Sequence, residues 1–158
     1  TDASADLGGI VGEVLLEPTR LYTAPLLRLL ADHPGAVHAL SHVTGGGIAA
    51  NLARVLPRGA WVELERGSWS PPAVFRVLSD LAGSTLTSAE GTWNLGIGMI
   101  VVAEPSARDS IVAALGGSGI PSWEVGRVST LARDFSGFAQ GEKGVNGGAV
   151  RLVGAYRA

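Results

Sequence analysis

Apolar residues recur along this chain in two rhythms, one helical and one extended, and the two alternate. Leu26, Leu27, Leu29 and Leu30 form the inward side of a helix expected from about Leu21 to Ala31. Pro25 fits that helix only in its first turn, which puts the start near Tyr22 or Thr23, and His33-Pro34-Gly35 ends it. Val37 to Val43 reads as a short strand, and Thr44-Gly45-Gly46-Gly47 as a tight turn. A helix follows from about Ile48 to Leu56, with Ile48, Leu52, Val55 and Leu56 on one side and Pro57 as its stop.

Trp61 to Leu64 is a strand and Arg66 to Ser70 a loop. The next helix opens at Pro71 or Pro72 with Val74, Leu78 and Leu81 in a stripe. Ser84 to Trp93 is a turn-rich crossing. Ile97 to Ala103 is a continuous apolar run, the signature of a strand covered on both faces. Pro105 begins a helix whose stripe is Ala107, Ile111, Ala114 and Leu115, closed by Gly116-Gly117. Trp123 to Val128 is a strand. Residues 129–148 are rich in Gly, Ser and charge and read as a mobile loop, and Val150 to Tyr156 as a last edge strand. This alternation predicts an α/β (α+β) domain built on one mixed sheet.

Composition narrows the function. The 158 residues suit one domain with its own core. Charged residues are 16% and apolar residues 46%, against about 25% charge in a typical soluble domain. Either the core is dense or part of the apolar surface belongs against another domain. A net charge of −2 with no basic stripe argues against nucleic acid. The absence of Cys removes disulfides, thiolate metal sites and a Cys nucleophile. No apolar run approaches the ~20 residues of a membrane span, and no secretory leader is visible; the expected location is cytoplasmic. Thr1 to Gly9 is polar and Gly-containing, so residues 1–13 read as a linker and 14–158 as the domain.

Candidate chemistry concentrates in a few places. His42-Val43-Thr44-Gly45-Gly46-Gly47 ends a strand and opens a helix. Glycines allow close backbone approach, free N–H groups at a helix start favour an anion, Thr44 offers a hydroxyl, and His42 a proton or a hydrogen bond. The Lys-Ser/Thr of a P-loop is missing. A turn needing glycine only for packing has the same pattern. Asn51 and Arg54, three apart on the following helix, share a face; Arg54 reads either as a phosphate ligand or as a solvated side chain. In Asn94-Leu95-Gly96-Ile97-Gly98 the glycines mark close approach of a ligand or of the protein's own chain. Trp69 reads as core, or as a cover for a base or a partner. Glu63 and Glu65 do not form a paired-carboxylate site. His33, His38 and His42 lack a metal-ligand pattern, and no metal site is expected.

Taken together these segments resemble a known family. Leu15-Leu16-Glu17-Pro18-Thr19-Arg20-Leu21-Tyr22 is similar to its "LEPTRIY" segment. Ser41 to Gly47, with Asn51, Arg54, Val55, Leu56 and Pro57, is similar to its "HITGGG…N..R.LP" block. Ser68-Trp69, Pro72 and Phe75 resemble "SW..P.iF", and Trp93 to Met99 resembles "FNMGIGM". The order and spacing agree from about Val14 to Val128. The family is aminoimidazole ribonucleotide (AIR) synthetase, or phosphoribosylformylglycinamidine cyclo-ligase, and the resemblance is to its C-terminal domain.

That resemblance implies a three-layer α/β/α domain of partly ferredoxin-like topology. It implies an ATP-dependent ligase of purine biosynthesis that converts formylglycinamidine ribonucleotide to AIR, with ATP and Mg bound mainly by an N-terminal domain outside this chain. The partners implied are that N-terminal domain, a second subunit in a homodimer, and a small ribonucleotide; the fragment alone is expected to be inactive. The site residues implied are His42 as catalytic, with Thr44, Gly45, Gly46, Gly47, Asn51, Arg54, Asn94, Gly96 and Arg20 for substrate or phosphate. Gly91-Thr92-Trp93 departs from the family's "RTF", and residues 129–158 match nothing in it. The competing readings are a related ATP-dependent enzyme of the same two-domain plan, a non-catalytic interaction module, and a stand-alone binder of phosphates.

Overall fold

The computed structural model describes residues 7–141 and 147–157. A short helix α1 (Val11–Leu15) starts within the stretch read as linker and buries none of its residues. Helix α2 (Thr23–Asp32) begins where Pro25 requires, with Pro25 in its first turn. Only Leu26 and Leu29 are buried; Leu27 and Leu30 are exposed, contrary to expectation. Residues i and i+3 share a face of a helix while their neighbours turn away, so two of the four leucines fill the core.

Strand β1 (Val37–His42) leads through the glycine turn into α3 (Gly47–Val55), and then β2 (Trp61–Glu65), a 3₁₀ turn at Arg66–Ser68 and α4 (Ala73–Leu81) follow. Leu81 of the predicted stripe is 74% exposed, because α4 ends there and its buried side stops at Ser79. The crossing read as turn-rich contains a four-residue helix, α5 (Leu86–Ala89), opened by a reciprocal Thr85–Ser88 capping box. Strand β3 (Met99–Ala103), helix α6 (Arg108–Gly117) and strands β4 (Gly126–Ser129), β5 (Ala139–Gln140) and β6 (Ala149–Val153) complete the order.

The α+β class and the mixed sheet are as expected, but the strands divide between two sheets. β1 and β3 form an antiparallel pair, and the larger sheet has the order β4-β2-β6-β5. Helix α3 packs against β1 of the small sheet and against β5 and β6 of the large one. β6 is not an edge strand. It runs parallel to β2 in the register Trp61↔Ala149 to Glu65↔Val153, with β5 antiparallel on its other side. That arrangement corrects the loop reading as well, since β5 lies within residues 129–148 and supplies the true edge. Residues 142–146 of that stretch lie outside the described residues.

Two apolar cores result. The larger joins Ile48 and Leu52 of α3, and Leu56 just after it, to Val62, Leu64, Val150 and Leu152 of the large sheet, with Trp69 and Ile100. The smaller joins Leu26 and Leu29 of α2 to Ile111 and Leu115 of α6. Met99, Val101 and Ala103 of β3 face this second core, whereas Ile100 and Val102 face the first. Alternate residues of one strand thus serve two cores, which is why the segment is apolar throughout. The outer face of the large sheet meets residues 131–138 rather than a helix: Trp61 Nε1 donates to the Leu131 carbonyl at 2.9 Å, and Arg133 stacks on Trp61.

Candidate functional site

Two segments some fifty residues apart in the chain come together at one end of the small sheet. In the β1–β3 ladder His42 pairs with Met99, and the Val43 N–H donates to the Gly98 carbonyl at 2.9 Å. The end of β1, carrying His42 and Thr44-Gly45-Gly46-Gly47, therefore lies beside the start of β3, carrying Asn94 to Gly98. His42, Thr44, Gly45 and Gly96 are exposed there, and Gly46 and Asn94 are half-buried.

Tyr22 sits at the same place. Its ring lies edge-on to His42, with centroids 6.0 Å apart, and its hydroxyl occupies the volume a Cβ on Gly98 would take. The segment resembling "LEPTRIY" thus reaches the site through Tyr22. Arg20, two residues earlier, is exposed and makes no hydrogen bond or ion pair among the described residues.

The glycine turn is held from beneath. Gly46 is the N-cap of α3 with φ 98°, and Gly47 follows with φ 72°; both are left-handed positions that suit glycine. Asn51 is buried, and its Nδ2 donates to the carbonyl of Gly47 at 2.7 Å and, at longer range, to those of Thr44 at 3.2 Å and Gly45 at 3.4 Å. Arg54 Nη1 donates to Asn51 Oδ1 at 3.3 Å. Asn51 is therefore the brace of the turn, and Arg54 orients the brace. Gly47 is buried against the backbone of the 90–91 segment, where a Cβ would fall on the Glu90 carbonyl oxygen. The outward positions of the turn are Thr44, Gly45 and Gly46.

The second segment is a turn of similar make. Asn94 Oδ1 accepts from the Gly96 N–H at 3.1 Å, and the Ile97 N–H donates to the Asn94 carbonyl at 2.9 Å. Leu95, fully buried, and Gly96 have φ of 48° and 91°. A non-glycine residue holds a positive φ only where its surroundings enforce it. Here Trp69, buried as the core reading expects, donates from Nε1 to the Leu95 carbonyl at 3.1 Å, and the Pro72 ring closes on Gly96, its Cδ 2.5 Å from where a Cβ would stand.

Sequence reasoning passed over a third group. Arg66 forms a two-pronged pair with Glu90, Nε to Oε1 at 2.6 Å and Nη2 to Oε2 at 2.9 Å, and Arg66 Nη1 donates to the Gly154 carbonyl at 3.1 Å. The Tyr156 hydroxyl donates to Glu90 Oε1 at 2.8 Å. Burial, and then its bond to Glu90, push the Tyr156 hydroxyl well above the usual phenol range; the Glu90 carboxylate raises Arg66 likewise. No short motif marks these three residues, because they are widely separated in the chain. Glu63, set aside in the sequence reading as no paired-carboxylate site, accepts from Arg133 at 2.9 Å and from Arg151. The bond from Arg151 contributes most to holding its carboxyl below the usual glutamate range.

Among the described residues no cluster of His, Cys, Asp and Glu is arranged to hold a metal ion, and no helix is long and apolar enough to cross a membrane.

Residues 1–135 match the family described as "AIR synthase related protein, C-terminal domain". A phosphoribosylformylglycinamidine cyclo-ligase of Sorangium cellulosum is 47% identical over 133 residues, which is 83% of this chain and 38% of that protein. A Streptomyces fradiae protein, provisionally named for the same enzyme, is 38% identical over 151 residues, covering 96% of this chain and 77% of its own length. A cyclo-ligase of Xylella fastidiosa is 37% identical over 118 residues, 75% of this chain and 34% of that protein. The chain thus spans little more than a third of the Sorangium and Xylella relatives.

Proposed function

The chain belongs to the family of AIR synthase related protein C-terminal domains, and on that premise we propose that it is the cleft-closing part of a phosphoribosylformylglycinamidine cyclo-ligase of purine biosynthesis. The observation that carries the reading is the pairing of His42 with Met99, which sets the His42–Gly46 turn beside the Asn94–Gly96 turn on an accessible surface.

The reaction needs such a surface. A formyl oxygen leaves poorly, so ATP phosphorylates it; an amidine nitrogen of the same molecule then attacks the formyl carbon, the imidazole ring closes and phosphate departs. Catalysis of that kind is mostly positioning and stabilisation of charge. Thr44, Gly45 and Gly46 at the start of α3 hold the phosphate of the ribonucleotide. His42 orients the substrate or takes the proton released by the attacking nitrogen. Asn94 and Gly96 form the opposite wall. Asn51, Arg54 and Gly47 keep the turn in shape from beneath.

On the family resemblance, ATP and its Mg²⁺ are assigned to an N-terminal domain outside this chain. The exposed Leu15, Leu16 and Leu21, in the segment that leads to Tyr22, suit burial against that domain, and a homodimer and a cytoplasmic location complete the reading. The test is to assay the full-length parent and this chain side by side with formylglycinamidine ribonucleotide and ATP. AIR from the parent and none from the chain is the expected result. No AIR from a folded parent rejects the assignment in favour of a related ATP-dependent enzyme or an interaction module.

A further inference from the structure

Glu90, whose backbone underlies one turn of the candidate site, and Trp69, which holds the other, meet at a common junction, and one residue of that junction lies in the part of the chain that the family match does not reach. The match ends at residue 135. Tyr156, beyond it, donates its hydroxyl to Glu90 Oε1 at 2.8 Å, and its ring meets Trp69 edge-on with centroids 5.3 Å apart. Each contact leads to one turn. Glu90 carries the backbone carbonyl on which Gly47 rests, so the position of Glu90 sets the floor of the His42–Gly47 turn. Trp69 donates to the Leu95 carbonyl, so the position of Trp69 sets the strained Asn94–Gly96 turn.

Arg66 completes the junction. It grips both oxygens of Glu90 and ties the pair to the Gly154 carbonyl of the same tail. The Arg66 and Glu90 side chains are only 15% and 16% exposed. Hydrogen bonds to charged groups in such surroundings are stronger than those at a surface. A tail needed only for solubility or core filling has no use for a hydroxyl placed on that carboxylate.

We propose that Tyr156 is a positioning residue for the ribonucleotide site: through Glu90 and Trp69 it holds the His42–Gly47 and Asn94–Gly96 turns at their mutual spacing, making the C-terminal tail part of the substrate-binding apparatus. This rests on the reading of those turns as the ribonucleotide site. It predicts that the tail governs binding of the ribonucleotide and leaves binding of ATP alone.

The test uses the full-length protein carrying Tyr156→Phe, which keeps the ring against Trp69 and removes only the hydroxyl. One bond to a carboxylate corresponds to about a tenfold change in an equilibrium. KM for formylglycinamidine ribonucleotide should therefore rise about tenfold, with kcat changed by less than about twofold and KM for ATP unchanged. Hydrogen exchange should quicken at the Gly47 and Ile97 amides, which close the two turns by donating to the Thr44 and Asn94 carbonyls. Glu90→Gln should produce both effects more strongly. Arg133→Ala, a change in the segment against Trp61 and away from the junction, should produce neither. Unchanged exchange at both amides in Tyr156→Phe overturns the proposal, as does an equal rise in the two KM values. If the parent does not turn the ribonucleotide over, the functional reading fails, and the exchange rates alone still decide whether Tyr156 holds the turns.

Discussion

Gly47 and Glu90 meet backbone to backbone: a Cβ on Gly47 would coincide with the Glu90 carbonyl oxygen, so the glycine turn and the 90–91 segment form one unit. Gly47 also has φ 72°, and a left-handed position alone costs a residue with a side chain about 1–2 kcal/mol. With the clash added, Gly47→Ala should cost about 3 kcal/mol, read as a shift of the urea midpoint. Gly45→Ala, where nothing stands within 4 Å of the added Cβ and φ is not positive, should cost less than about 0.5 kcal/mol.

Asn51 should behave as a brace rather than as a ligand. Asn51→Ala removes the donor to the Gly47 carbonyl and should cost about 1–3 kcal/mol. Asn51→Asp should cost more, since it turns a carboxylate toward three carbonyl oxygens. Denaturation midpoints test both changes. Unchanged midpoints with a raised KM for the ribonucleotide would return Asn51 to the set of ligands.

His42 is exposed, its ring touched edge-on by Tyr22. In the full-length protein His42→Ala should lower kcat/KM by about 100-fold or more, the scale of a lost proton-transfer group, while stability changes by about 0.5 kcal/mol or less. Unchanged kcat/KM would remove His42 from the catalytic role.

Tyr156 and Glu63 give opposite ends of the pH profile. Tyr156 is pushed up by burial and by its bond to Glu90. The folded protein keeps that proton where the unfolded chain releases it, so stability is intact below about pH 10 and falls as pH rises beyond it. Tyr156→Phe should flatten this alkaline limb of Tm against pH. Glu63 is held low by Arg151 and Arg133, so its contribution is present above the ordinary glutamate value of about 4.3 and is lost as pH falls through the lowered one. Glu63→Gln should flatten the acid limb.

The candidate site was legible in part. Gly46, Gly47 and Gly96 are marked by local chemistry, because a positive φ or a close approach leaves glycine in the sequence. The stripe of α6 was legible for a similar reason: Ala107, Ile111, Ala114 and Leu115 repeat with the period of the helix. The contacts of Asn51 were not, since an asparagine beside a turn has the same letter whatever its side chain meets. Arg66, Glu90 and Tyr156 left no local signal at all, being joined only by the folded chain. The tail misled for another reason: β6 was legible as a strand, but β5 is two residues long and its partner distant, so Gly and Ser outweighed it and β6 read as the edge.

The sequence by itself determined the kinds and approximate limits of most elements, the α+β class and the positions of the two turns. These depend on backbone freedom and on the spacing of apolar side chains within a few residues. Only the tertiary structure decided that the strands divide into two sheets, that β6 is interior, that Glu63 is paired with Arg133 and Arg151, and that Tyr156 meets both Glu90 and Trp69. Those outcomes depend on which distant surfaces exclude water together, and a side chain's neighbours across the fold leave no periodic mark in the chain that carries it.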